Sequence, residues 1–73
     1  MDQNISWGSL VVVSRTYVDS ALRGLVGSVA GIYTVDREDI ANKRSCKIGD
    51  TFYLIEFGDG SSIELHEKYV SQK

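Results

Sequence analysis

Proline is missing from this chain, and cysteine, histidine and tryptophan each occur once among its 73 residues. With no proline to set a turn, the chain must turn chiefly on its glycines. A lone cysteine, Cys46, cannot close an internal disulfide, which fits a reducing compartment. One Cys and one His also fall short of the usual ligand set of a zinc site. No apolar stretch approaches the roughly 20 residues that cross a bilayer. The run Leu10-Val11-Val12-Val13 is too short for a signal-peptide core and has no basic run before it. No Gly-Lys-Ser or Gly-Lys-Thr follows a glycine loop, so a phosphate-binding loop is excluded. The net charge of -2 gives no general attraction to nucleic acid or to anionic lipid. The expectation is a cytoplasmic protein with no cofactor, no metal site and no membrane segment.

What is present points to one folded domain spanning residues 1–73, with residues 1–6 a loose N-terminus tied down by Trp7. Apolar residues make up 42% of the chain, close to the globular norm. The most informative run is Gly24-Leu25-Val26-Gly27-Ser28-Val29-Ala30-Gly31-Ile32, a strand interrupted by glycines. Val29 and Ile32 cannot both face inward on a regular strand, so a bulge is expected near Gly31. An earlier strand is expected over Ser9 to Ser14, whose three consecutive valines favour the pleated conformation. Between these strands, Arg15 to Arg23 reads as a long irregular loop.

After the second strand, Asp36 to Gly49 reads as a solvated loop with a helical turn around Glu38 to Asn42. The end of the chain is clearer. Tyr53, Ile55 and Phe57 alternate on one face, Gly58-Asp59-Gly60 supplies residues that tolerate positive φ, and Ile63 and Leu65 return toward the core. Tyr69 and Val70 then form a last brief strand. The expected core is Leu10, Val12, Val26, Val29, Ile32, Tyr53, Ile55, Phe57, Ile63, Leu65 and Val70.

The strand Leu10 to Val13, the spacing Gly24-x-x-Gly27-x-Val29-x-x-Ile32 and the segment Tyr53-Leu54-Ile55-Glu56-Phe57-Gly58-Asp59-Gly60 together resemble the SH3-like small barrels of bacterial proteins. The resemblance extends to the KOW-type subset of ribosomal and transcription factors. It implies an all-β, five-stranded SH3-like barrel with two long loops. The departures bear on function. The loop between the first two strands offers Arg15 and Arg23 against Asp19, which is weak for an RNA-touching KOW module. Plasmid-borne dihydrofolate reductases of similar fold carry a Val-Gln-Ile-Tyr strand where this chain reads Ser62-Ile63-Glu64-Leu65.

No catalytic constellation stands out. His66 follows an alternating strand and falls on the outward face with Glu64, as a solvated surface histidine. Ser61 and Ser62 beside the turn are placed for local hydrogen bonds. The chain is therefore read as a non-enzyme that binds a macromolecule, foremost a protein. An inhibitor, an immunity-type protein or an accessory subunit of bacterial or phage origin would suit its size.

The residues expected to meet a protein partner are Phe52, Leu54 and Glu56 on the outward face and Tyr17, Lys43 and Arg44 on the two loops. Pairing into a homodimer through a strand edge would also cover the outward face. The alternatives are a KOW-like nucleic-acid-binding module and a non-catalytic subunit of a larger enzyme. The nucleic-acid reading would use Arg37, Lys43, Arg44 and Lys47 on phosphates, with Tyr17, Tyr33 or Trp7 for stacking.

Overall fold

The computed structural model describes residues 5–73. Its elements are β1 (Leu10–Val13), β2 (Val26–Thr34), the short helix α1 (Glu38–Lys43), β3 (Thr51–Glu56), β4 (Ser62–His66), a 3-10 turn (Glu67–Tyr69) and β5 (Val70–Gln72). All ladders are antiparallel, and the five strands lie in the order β4-β3-β2-β1-β5. The domain is thus mostly β, with one sheet of five strands. Among the described residues no ladder joins β4 to β5. Of the expected loose terminus, residues 1–4 lie outside the described residues. Ile5 packs against the core, whereas Trp7 is 69% exposed, so Ile5 and not Trp7 anchors this end.

The expected bulge is present. The β2–β3 register runs Val29↔Ile55 and then Gly31↔Leu54, which leaves Ala30 as the extra residue. That offset lets Val29 and Ile32 both reach the core side, where Val29 is buried and Ile32 packs against the cluster. The final hairpin also follows the alternation. Ile55 and Leu65 are buried, Tyr53, Phe57 and Ile63 pack against them, and Phe52, Leu54 and Glu56 pair on the other face with His66, Glu64 and Ser62. Gly60, at φ +88°, closes the turn in the left-handed region.

The first strand has the opposite phase from that expected. Val11 and Val13 are buried, while Leu10 is 55% exposed, Val12 is half-buried and Val26 is 42% exposed. Leu10, Val12 and Val26 therefore leave the expected core, and Val11 and Val13 replace them. Two contacts set this phase. Val13 stands opposite Val70, also buried, and Val11 stands opposite Gly27. A Cβ on Gly27 would lie 2.5 Å from Ile55 Cγ2 and 2.7 Å from the Glu56 carbonyl oxygen, so only a bare Cα admits that approach.

The segment between β2 and β3 is more ordered than a solvated loop. Val35 N–H donates to the Asp50 carbonyl and Gly49 N–H to the Val35 carbonyl, both at 2.8 Å, which closes its base. Val35 and Ala41 are buried. The helix ends in a paired cap: Cys46 N–H donates to the Ala41 carbonyl at 2.9 Å and Ser45 N–H to the Asn42 carbonyl at 3.3 Å. This is the Schellman arrangement, which places Ser45 at φ +54° where glycine is usual. The chain then reverses back toward the sheet and presents Arg44 to the outward face of β2, β3 and β4.

Candidate functional groove

Arg44 is the centre of the outward face. Its guanidinium carbon lies 4.8 Å from the Phe52 ring centroid and 5.9 Å from that of Tyr33. Tyr33 and Phe52 are cross-strand partners on β2 and β3, so one cation spans two adjacent rings. Arg44 Nη1 also pairs with Glu64 on β4. The loop thereby covers Phe52, which an unaided strand would leave in water. Tyr33, Ile40, Lys43, Arg44 and Glu64 line an open cleft of about 720 Å³ on this side. The Tyr33 hydroxyl is buried and has no hydrogen-bond partner among the described residues.

The groove continues past Phe52. Tyr17, from the β1–β2 loop, packs edge-on against Tyr69 of the 3-10 turn, with centroids 5.1 Å apart. Tyr17 and Tyr69 share a cleft of about 290 Å³ with Arg44, Cys46, Phe52 and His66. Three separate pieces of chain, the 15–23 loop, the 36–50 segment and the 3-10 turn, thus supply its walls. Arg23 holds the first piece in place by donating from Nε to the Tyr17 carbonyl oxygen.

His66 is half-buried here and fully engaged, which corrects its reading as a solvated surface residue. Its Nδ1 accepts from Lys68 N–H at 3.0 Å, so the neutral ring carries its proton on Nε2, which donates to Asp50 Oδ2 at 2.9 Å. That hydrogen bond, followed by one from the Lys47 backbone N–H, holds the Asp50 carboxyl below the ordinary aspartate range. The Phe52 and His66 rings meet at 81°, with centroids 5.2 Å apart. Glu67 Oε2 accepts from Thr51 N–H at 3.0 Å, which fastens the 3-10 turn to β3. The end of the 36–50 segment and the start of the 3-10 turn are thus clipped together.

Of the residues expected to meet a protein partner, Tyr17, Arg44 and Phe52 converge on the groove, and Lys43 lines the adjoining cleft beside Arg44. Leu54 and Glu56 lie elsewhere. Leu54 is 37% exposed opposite Glu64, and Glu56 stands with Leu10, Val26 and Phe57 around a separate hollow near the hairpin turn. Among the residues expected on phosphates, Lys47 borders the groove at Cys46 and Asp50, whereas Arg37 is turned to Asp39 at 3.0 Å. Tyr33 underlies Arg44, and Trp7 does not line these clefts.

Sequence reasoning missed Tyr69 and the engagement of His66. The second was legible in the hairpin, because a turn centred on Asp59 puts Phe52 opposite His66. Comparison with known protein families, with curated proteins and with solved structures finds no significant match to this chain.

Proposed function

We propose that this chain is a non-enzymatic protein-binding module, an SH3-like barrel that takes its partner in the groove between the 15–23 loop, the 36–50 segment and the 3-10 turn. The observation that carries this reading is the convergence of Tyr17, Tyr69, Phe52 and Arg44 from four separate stretches of chain. Aromatic and arginine side chains in a shallow recess are the groups that dominate binding energy at protein interfaces. Leu65 of β4 and Val70 of β5 belong to one core cluster, which supports a sheet curled toward barrel closure. The engagement of both His66 ring nitrogens supports a binding role over acid–base chemistry, since neither is left to accept a proton from a substrate.

Affinity capture from bacterial lysate, with and without nuclease treatment, tests the reading. The bait is compared with Tyr17→Ala and Phe52→Ala variants, checked for folding, and with Val18→Ser, a control at a position 83% exposed and outside the groove. A protein partner retained by the control and lost from both groove variants is expected. Partners that vanish with nuclease, or that ignore both groove substitutions, reject it.

A further inference from the structure

The groove carries more hydrogen-bond donors than acceptors, and its carboxylates are already engaged. Glu64 is paired with Arg44, and Asp50 accepts from His66 and from the Lys47 backbone. Lys43, Lys47 and Lys68 stand along the same face and form no ion pair among the described residues. An occupant that complements this surface must bring acceptors and negative charge.

Phosphates would meet that need as well as carboxylates, but the rings argue against bases beside them. Phe52 and Tyr33 lie under Arg44, and Lys68 Nζ stands 5.1 Å from the Tyr69 centroid. Of the groove rings on which a base would stack, Tyr33, Phe52 and Tyr69 already carry cations, and Tyr17 is packed edge-on against Tyr69. Tyr17, Tyr69 and Phe52, with Leu65, give the cleft of about 290 Å³ an apolar side, which suits an aliphatic side chain.

From this donor excess and these covered rings we infer that the groove binds an acidic peptide segment, its carboxylates on Lys43, Lys47 and Lys68 and an aliphatic side chain in the recess beside Tyr17. The inference rests on the groove being the docking surface proposed above, and adds the chemistry of the partner. Lys43, Arg44, Lys47 and Lys68 outnumber Glu64 and Asp50 along this face, although the chain as a whole is acidic at a net -2. Attraction to such a peptide is therefore local and falls as salt rises.

Arrays of short peptides test it, with mixed aliphatic positions set between fixed glutamate, fixed glutamine or fixed lysine, alongside single-stranded oligonucleotides. The full chain should bind the glutamate array most tightly and lose most of that binding in high salt. Bound glutamate peptides should slow alkylation of Cys46, which lines the groove and is the chain's single thiol. The K47E/K68E double variant, checked for folding, should exchange preference and take the lysine array, with Cys46 protected by the bound peptide. Equal binding of all three arrays, with Cys46 protected, overturns the acidic inference and leaves the groove reading standing. Binding of oligonucleotides alone, or of no peptide, overturns both.

Discussion

Arg44 stands 4.8 Å above the Phe52 ring while its Nη1 holds Glu64, so one side chain fastens the 36–50 segment to β3 and β4 together. The ion pair is itself more than a third exposed, and solvent screening leaves it little weight. The stacking on Phe52 and Tyr33 is the larger part. Arg44→Ala is expected to lower stability by about 1 kcal/mol, and Arg44→Lys, which keeps the charge without the planar group, to recover only part of it. Urea unfolding measures the loss. Faster amide exchange at Ala41 and Cys46, with β3 unchanged, would show that the segment and not the sheet has loosened.

The phase of β1 is checked by a pair of substitutions. Val11→Ala removes buried methyl groups and should cost about 2 kcal/mol. Leu10→Ala, although it deletes more carbon, should cost under about 0.5 kcal/mol because that side chain is 55% exposed. The reverse order in denaturant midpoints would restore the phase expected from sequence.

That strand shows where the sequence ran out. Leu10-Val11-Val12-Val13 is apolar at every position, so no alternation tells which residues face inward. The choice is made by partners distant in sequence, Gly27 and Val70. The last hairpin was legible because Tyr53, Ile55 and Phe57 alternate with residues that tolerate solvent and Gly58-Asp59-Gly60 fixes the turn. The bulge was legible because Val29 and Ile32 have incompatible parity. In the groove, Tyr17, Arg44 and Phe52 could be named singly. Their meeting with Tyr69 depends on how two loops and the 3-10 turn fold against the sheet, which no local pattern encodes.

Gly27→Ala tests the close approach beneath β1. The new methyl would meet Ile55 Cγ2 at 2.5 Å and backbone at 2.7 Å, and the backbone contact cannot turn aside. A loss of about 2 to 3 kcal/mol is expected by thermal or chemical unfolding. Little or no loss would mean that β2 and β3 lie farther apart than described.

Ser45→Gly should act in the opposite direction. Ser45 occupies a left-handed conformation at φ +54° that glycine adopts freely. A gain of about 0.5 to 1 kcal/mol is expected, reduced from the full left-handed penalty by the greater freedom of glycine in the unfolded chain. Thermal unfolding reads it, and the groove residues should keep their chemical shifts apart from the immediate neighbours.

Acid should weaken the clip between the 36–50 segment and the 3-10 turn. The Asp50 carboxyl is held below its ordinary range in the fold by the His66 hydrogen bond, so the unfolded chain takes up that proton first as pH falls. The stabilisation is therefore fully present above the ordinary aspartate range and is lost as pH drops through and below it. Asp50→Asn should flatten this limb of the stability profile. An NMR titration placing Asp50 at or above a blocked aspartate peptide would remove the basis for the expectation.

The extra residue at Ala30 ties the inside of this domain to its outside. Up to Val29 the inward positions of β2 are odd-numbered, and from Ile32 they are even-numbered, so the strand changes parity once along its length. Draw that residue into a regular ladder and the remainder of the strand inverts: the tyrosine beneath Arg44 would be driven into the core and Ile32 set out beside Phe52. Side chains on the groove can be exchanged one by one, and the partner altered with them, but a strand that pairs all its residues from Gly27 to Tyr33 would exchange floor for foundation.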